Sequence, residues 1–301
     1  MRQVSLSVLR RGAGLNMPKR SNQGNAAAAA LQAAKRSCIE AIEDTTNLCL
    51  LKYEQLVSAS LDTRYKRFLG DARLTNADGE TETTITIHVP NTGPMTGLLN
   101  DLPASVLLSK SSSTTRKYAH TLEWIQADGA WVGTHSAKAN AFVKVLLQAN
   151  AIPELLPYVE IKPEIKYGSE NSRVDFCLER GEAGRQCLAE VKSVTLAEDT
   201  EEGIRMALFP DTVSIRAQRH VRELTKVVEK GGEAALIFLI QRGDCAAFAP
   251  CYEKDPEYSS LVVAAVEAGV KVVVVACDLD PFKGEVVFKG NVPLKLDYKR
   301  P

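Results

Sequence analysis

No acidic residue precedes Glu40, whereas seven basic residues do (Arg2, Arg10, Arg11, Lys19, Arg20, Lys35 and Arg36). The rest of the chain therefore holds 30 basic residues against all 37 acids, a net charge of about −7, although the whole chain sums to zero. A globally basic nucleic-acid binder is excluded, and any contact with phosphates must use a local patch. No C-x-x-C pair occurs among the seven scattered cysteines (Cys38, Cys49, Cys177, Cys187, Cys245, Cys251 and Cys277). That argues against a zinc site and a disulfide framework, and for reduced thiols in an intracellular protein. No apolar run reaches membrane-spanning length, so no membrane partner is expected. The longest, Val270 to Cys277 with Lys271 inside it, fits a buried strand. Glycine-rich nucleotide motifs and nucleophile elbows are also missing, which leaves a sugar-metabolising enzyme without support.

Met1 to Ala34 is rich in Arg, Ser, Ala and Gly and has no long apolar segment. This composition suits a mitochondrial or plastid transit peptide. A basic extension, or a start at Met17, fits it as well, and the protein would then be cytoplasmic or nuclear. The alanine run from Ala26, continuing to Ile42, has the propensity of a short helix. Residues 1–46 are thus set apart as an extension, disordered in part.

From residue 47 to 134 the texture is one of short strands and turns. Strands are expected at Leu50–Ser58, Phe68–Thr75, Thr83–Val89, Ser105–Ser109, Tyr118–Gln126 and Ala130–Thr134. The turns between them include Asn76–Gly79 and Ala127–Gly129. So many short strands imply a small β-barrel, with the OB-fold as the leading candidate. Arg64-Tyr65-Lys66-Arg67-Phe68 interleaves cations and rings, as nucleic-acid grooves do, although a charge-blunted edge strand reads the same way. Pro90 to Gly97 is a rigid glycine-bearing loop able to approach a ligand with its backbone. Arg116 and Lys117 add a further basic surface.

Residues 135–301 alternate helices and strands. Ala141, Val145 and Ala149, widened by Phe142 and Leu146, predict a helix over 137–150 with Ser136 as N-cap. Strands follow at Tyr158–Tyr167, Arg173–Leu178 and Gln186–Val194, then a helix from Asp211 to Lys230. A buried strand (Ala234–Ile240), a helix (Pro256–Ala268) and the strand from Val270 complete the series. The order αβββαβ is that of the PD-(D/E)XK, restriction-endonuclease-like core. The chain is expected to be a two-domain α+β or α/β protein.

The chemistry centres on Arg173-Val174-Asp175-Phe176 and Leu188-Ala189-Glu190-Val191-Lys192. Glu190 and Lys192 leave the same strand face, and antiparallel pairing across Glu179–Arg185 would bring Asp175 beside Glu190. Two carboxylates suit Mg2+ or Mn2+, and the lysine suits an attacking water or developing phosphate charge. Asp175, Glu190 and Lys192 are the expected catalytic residues, the two acids the metal ligands. Glu164 is an accessory candidate, with a solvated acid as the equal alternative. Gln218 and Arg222, four apart on one helix face, are accessory candidates for holding substrate phosphate, or the outer face of an ordinary amphipathic helix. Arg64, Lys66, Arg67, Arg116 and Lys117 are the expected nucleic-acid contacts.

Taken together, these motifs resemble the sugar fermentation stimulation protein A (SfsA) family. The resemblance rests on Arg64–Leu69, Pro90–Gly93 with Met95–Gly97, Arg116–Tyr118, Glu164–Gly168, Arg173–Phe176, Glu190–Leu196 and Phe209–Asp211, in that order. It implies an OB-like domain, a nuclease-like domain, sequence-tolerant DNA binding and, for bacterial members, regulation of sugar-utilisation genes. DNA is the expected partner, with single-stranded DNA or RNA as variants. PD-(D/E)XK proteins often dimerise, which puts a homodimer among the expectations. Two readings stand: a metal-dependent nuclease, or a non-enzymatic DNA-binding, transcription-regulatory protein on the same scaffold. The segment Thr212 to Gln218 departs from the family pattern, with Ile215 for a glutamate and Ala217 for a glycine, and His135 replaces an asparagine.

Overall fold

The computed structural model describes residues 47–75, 82–168, 172–181 and 184–299. The extension 1–46, its alanine-rich helix and the turn Asn76–Gly79 lie outside the described residues. Two bodies share the chain. The first is a barrel of six strands: β2 (Val57–Tyr65), β3 (Leu69–Thr75), β4 (Glu82–His88), β5 (Ala104–Lys110), β6 (His120–Ala127) and β7 (Ala130–Gly133). Their order is β4-β3-β2-β5-β6-β7, and a His88–Thr121 pairing between β4 and β6 closes the sheet on itself. Alternation along the strands, reset in β6 by a bulge between Leu122 and Trp124, sends Leu61, Ile87, Val106, Leu108, Leu122 and Ile125 into its interior. Closure removes the open edges that short strands otherwise expose.

The second body is built on a seven-stranded sheet. Its strands are β1 (Cys49–Lys52), β8 (Glu160–Tyr167), β9 (Ser172–Glu179), β10 (Gln186–Val194), β13 (Glu233–Ile240), β15 (Lys271–Asp280) and β16 (Glu285–Asn291). Among the described residues their order is β1-β16-β15-β13-β10-β9-β8. β10, β13 and β15 run parallel, so they need helical crossovers, and α2 (Ile215–Glu229) and α3 (Pro256–Ala268) supply them. α1 (Lys138–Gln148) covers one face, packing Phe142 and Leu146 among Phe176, Ala189 and Ile237. α2 and α3 cover the other, packing Val221, Leu224 and Val262 against Leu188, Leu236 and Phe238. This alternation fixes which way Glu190 points: its neighbours Ala189 and Val191 face α1, so Glu190 faces α2.

Several expectations shift. The strand anticipated over Leu50–Ser58 is two strands. Its first part, β1, pairs with β16 in the second body rather than joining the barrel, so the expected division at residue 47 does not coincide with the barrel's first strand. β11 (Leu196–Asp199), β12 (Arg205–Phe209) and β14 (Ala247–Pro250) form a small unanticipated sheet. α1 begins after Ala137 with no side-chain cap, so Ser136 does not cap it. Its buried face is Ala139, Phe142, Val143, Leu146 and Leu147, one position off the stripe read through Ala141. α2 starts at Ser214, whose hydroxyl accepts from the Ala217 N–H, rather than near Asp211. Such a cap is worth about 1 kcal/mol. Among the described residues no helix is long and apolar enough to cross a membrane.

Polar junctions tie the bodies together. Arg242 of the sheet body, 1% exposed, is fixed by Asp244, to which it gives Nε and a terminal nitrogen at 2.7 Å each, and it reaches Asp128 on the β6–β7 turn of the barrel at 3.5 Å. Gly133 of the barrel donates its N–H to the Gln241 carbonyl at 2.8 Å. Glu123 on β6 is 3% exposed and accepts from Lys138 Nζ (2.7 Å), Ser109 Oγ (2.7 Å) and the Tyr53 hydroxyl (2.9 Å). Burial pushes this carboxyl up, but the hydrogen bonds from His135, Lys138 and Ser109 outweigh it and hold it at about 2.

That depression predicts a pH dependence. Against an ordinary value of 4.5, the Glu123 interactions contribute about 3 kcal/mol at neutral pH. The contribution is complete above the unfolded-state value and is lost as pH falls from about 4.5 through about 2. Glu123→Gln is expected to lower the urea midpoint at pH 7, with the gap to wild type closing over that window. A gap that does not narrow in acid would contradict the assignment.

Candidate active site

β9 and β10 pair antiparallel from Gln186–Glu179 to Ala189–Phe176. One residue further along, that register puts Asp175 opposite Glu190. There the backbone ladder stops, and the Asp175 carboxylate itself accepts the Val191 N–H through Oδ2 at 2.8 Å. Its other oxygen, Oδ1, accepts from Asn140 Nδ2 on α1 at 2.7 Å. Across β9, the ladder to β8 skips Glu164, which stands at φ +53° between the Pro163–Phe176 and Ile165–Val174 pairs. A left-handed glutamate in a strand is uncommon and costs of order 1–3 kcal/mol. It breaks the alternation of the edge strand directly opposite Asp175.

Glu190 sits on a central strand and is 4% exposed. Its Oε1 accepts from Lys192 Nζ at 2.7 Å and is hydrogen-bonded to His220 Nδ1, which α2 brings down onto the strand. Its Oε2 is buried with no partner. Burial pushes the Glu190 carboxyl up, but the His220 hydrogen bond and the Lys192 charge outweigh it and hold it below the usual carboxylate range. Asp175 goes the other way: burial and the Glu190 charge raise it, against the opposing Val191 N–H and Asn140 bonds. Two neighbouring carboxylates whose environments push them apart are the arrangement from which acid–base and metal sites are built. Tyr167, at the end of β8, has a buried hydroxyl without a partner, pushed up by burial and then by the charge of Glu190.

The two acids therefore meet as the strand pattern anticipated, with Lys192 beside Glu190. Glu164 does not join them: its carboxylate pairs with Arg173 at 2.8 Å in an exposed contact. Gln218 and Arg222 also turn away. Gln218 Nε2 donates to both oxygens of Asp255, the α3 N-cap, at 2.9 and 3.1 Å, and Arg222 pairs with Glu257 at 2.7 Å. They tie α2 to α3. His220 and Asn140, which the sequence pattern does not single out, are helix residues hydrogen-bonded to the two acids. A signal for His220 is present in the polar residues Gln218, His220 and Glu223 that α2 buries among its apolar ones.

The barrel brings a second wall. Tyr65 ends β2, and Lys66 and Arg67 turn the chain with φ of +46° and +64°, leaving both side chains exposed. Arg64 is not exposed in that way. Its guanidinium donates to the carbonyls of Arg67 (2.6 Å), Asn91 (2.8 Å), Gly93 (2.9 Å) and Pro94 (3.1 Å). It clamps the Pro90–Gly97 loop. Arg116 donates to Thr121 Oγ1 at 2.9 Å, and Lys117 lies over the Tyr118 ring at 5.3 Å. Asn91 secures the loop further, through Nδ2 to the Thr134 carbonyl at 3.0 Å and Oδ1 from the Gly93 N–H at 2.8 Å. Thr96 Oγ1 reaches the Asp211 carbonyl at 3.1 Å. A Cβ on Gly93 would stand 3.1 Å from Asp211 Oδ2, so glycine permits the close approach of the two bodies. Between them lies a cleft of about 400 Å3, walled by Asn91–Gly93, Val191–Ser193 and Phe209–Ser214.

A barrel loop clamped against an α/β domain, with a buried E-x-K strand at the seam, defines a two-domain protein of barrel-plus-α/β outline. Comparison with known proteins makes the assignment specific. Residues 63–134 match the model of the SfsA N-terminal OB domain, and residues 137–283 that of the sugar fermentation stimulation protein RE domain. The chain is 43% identical over 247 residues to the sugar fermentation stimulation protein homolog of Gloeobacter violaceus, covering 82% of this chain and 98% of that protein. The homolog from Citrifermentans bemidjiense is also 43% identical, over 244 residues, covering 81% and 98%. The solved structure of Pyrococcus furiosus SfsA in complex with Ca2+ superposes with a TM-score of 0.71 at 22% identity, covering 82% of this chain and 99% of that one. The chain belongs to the sugar fermentation stimulation protein family.

The four carbonyls held by Arg64 give a direct test. Arg64→Ala is expected to lower stability by about 2 kcal/mol, because four backbone acceptors lose a charged donor. Hydrogen exchange should rise over Asn91–Gly97 and not over β10. Unchanged exchange in that loop would contradict the clamp.

Proposed function

We propose that the second domain is a PD-(D/E)XK-type nuclease core carrying a metal-dependent phosphodiester-hydrolysing site, and that the barrel helps to bind the nucleic acid. One observation carries this reading: Glu190 buries an unpartnered oxygen beside Asp175, on a strand whose next residue on the same face is Lys192. A buried carboxylate oxygen with no donor is costly unless a cation meets it. Two carboxylates from adjacent strands are a fitting donor set for Mg2+ or Mn2+, which complete their shells with water and phosphate oxygens. Asp175 and Glu190 would hold the ion. When bound, it supplies Lewis-acid stabilisation of the charge that develops on phosphate and leaving oxygen. The Pyrococcus furiosus protein is a complex with Ca2+, which supports a hard, oxygen-seeking ion in the family.

The protein's own groups do the rest. Lys192 lines the cleft and donates to Glu190, which supports a role for its ammonium in orienting an attacking water. His220 holds Glu190 from behind, and Asn140 with the Val191 N–H fixes both oxygens of Asp175. Lys66, Arg67, Arg116 and Lys117 are the exposed cations offered to a DNA backbone. Arg64 is assigned a positioning role instead.

The rival reading is a DNA-binding or transcription-regulatory protein on this scaffold without turnover. It is favoured by the compensation already present: Lys192 and His220 both answer Glu190. Among the described residues no group of three His, Cys, Asp or Glu side chains is gathered to hold a metal.

Turnover separates the two. The full chain is assayed on single-stranded and duplex DNA and on RNA with Mg2+, Mn2+ or EDTA. Cleavage is expected with either metal and is expected to vanish with EDTA, in Glu190→Gln and in Lys192→Ala, while circular dichroism stays unchanged. Binding without cleavage, indifferent to both substitutions, would overturn the nuclease reading. Removing Lys66 or Arg67 should reduce the slope of log K against log salt by about 1 each, whereas Arg64→Ala should leave it unchanged.

A further inference from the structure

The cleft between the bodies is not explained by phosphate chemistry. It holds about 400 Å3, within the roughly 300–1,000 Å3 of small-molecule sites, and its lining carries just two charged side chains, Lys192 and Asp211. Several cations would be expected around a backbone track. Neutral hydrogen-bonding groups and apolar surface make up the remainder, Thr92, Ser193 and Thr195 beside Leu196, Phe209 and Pro210. Burial raises the carboxyl of Asp211 above its usual range, even against the backbone N–H groups that face it. A further anion there would meet a carboxylate at close quarters and little positive charge.

Resting on the nuclease reading above, we infer that this cleft is a nucleobase subsite, which takes the base of one unpaired nucleotide next to the scissile phosphate. The chemistry of the lining matches a base: a flat uncharged ring with donors and acceptors on its edge, set against apolar walls. The volume suits one nucleotide and has no room for paired strands. Its position follows from the strand, because Lys192 belongs both to the cleft and to the carboxylate site. Some lining groups already have partners. Asn91 is engaged by the loop, and Ser193 Oγ accepts from Gln241 Nε2 at 2.7 Å, which leaves the Ser193 hydroxyl hydrogen to donate. The substrate class is therefore a strand that is single at the cut: single-stranded DNA or RNA, or an overhang.

The test compares two oligonucleotides of equal length and charge, one of ordinary sequence and one with abasic spacers throughout. Binding is measured by fluorescence anisotropy on the full chain in EDTA, so that no cleavage intervenes. The abasic strand is expected to bind about tenfold more weakly. Thr92→Trp, which fills the cleft from the exposed loop, is expected to bring the ordinary strand down to the abasic level. Equal binding of the two strands by the wild-type protein would overturn the subsite, whatever the variant does. A folded Thr92→Trp protein that still prefers bases would do so too. Absence of cleavage in the metal assay together with a retained base preference would sink the nuclease reading and leave the pocket. Cleavage with no base preference would sink the pocket and leave the nuclease.

Discussion

A carboxylate on a central β-strand, shielded from water on both sheet faces, is the constraint on which this molecule turns. Taking Glu190 out of water costs several kcal/mol unless its charge is answered. The fold answers it on one oxygen. Lys192 reaches back from the same strand face, and α2 has to lie where His220 can meet the same atom. Asp175 adds repulsion to this setting, and it is tolerated because both of its oxygens receive donors, one from the backbone and one from α1. Three elements that converge nowhere in the sequence are thus held to one point by charge balance, and the ladder between β9 and β10 gives way there.

The barrel is fitted to the same point. Its loop from Pro90 is tied internally by Arg64 and Asn91 and externally by Thr96, and Gly93 lets it come close against Asp211. The motifs that carry the family likeness are scattered over more than a hundred residues of sequence. In space Arg64, Asn91–Gly93, Val191–Lys192 and Phe209–Asp211 are the clamp, wall and floor of one cleft. A barrel that served only as an independent binding module would have no reason to devote an arginine to shaping this loop. The junctions at Glu123 and Arg242 serve the same end, since they fix the rotation of the barrel on the sheet.

The strand-borne part of the site was legible because a strand has only two faces. Once Glu190 and Lys192 share one, the pairing partner across a short turn is nearly determined, and Asp175 falls out of it. Helix-borne residues were harder. A helical side chain can take any direction around the axis, and spacing alone sets Gln218 and Arg222 on one face without saying what that face meets. The deciding fact is tertiary: α3 presents Asp255 and Glu257 to the face that carries Gln218 and Arg222, while His220 looks down on the sheet. Arg64 misleads for a related reason. Basic residues beside aromatics invite a phosphate, and the four carbonyls that occupy its guanidinium come mostly from a loop nearly thirty residues away. The small sheet of β11, β12 and β14 escaped notice because its strands are four or five residues long, too short for alternation to register.

The departure from the family pattern at Ile215 touches none of these buried groups. The residue opens α2 and is 69% exposed, and it is not among the residues that wall the cleft. A glutamate at that position would stand in solvent on the first helical turn, where it gains a few tenths of a kcal/mol from the helix dipole, on the order of 0.3. Isoleucine there leaves the buried balance of Asp175, Glu190, Lys192 and His220 as it is. Ala217, the other departure, is buried and keeps its N–H on Ser214, so the helix still starts where it must to deliver His220. Both departures leave the groups at the base of the cleft in place, and those groups depend on one another: Lys192 and His220 answer Glu190, and the Val191 N–H with Asn140 answers Asp175.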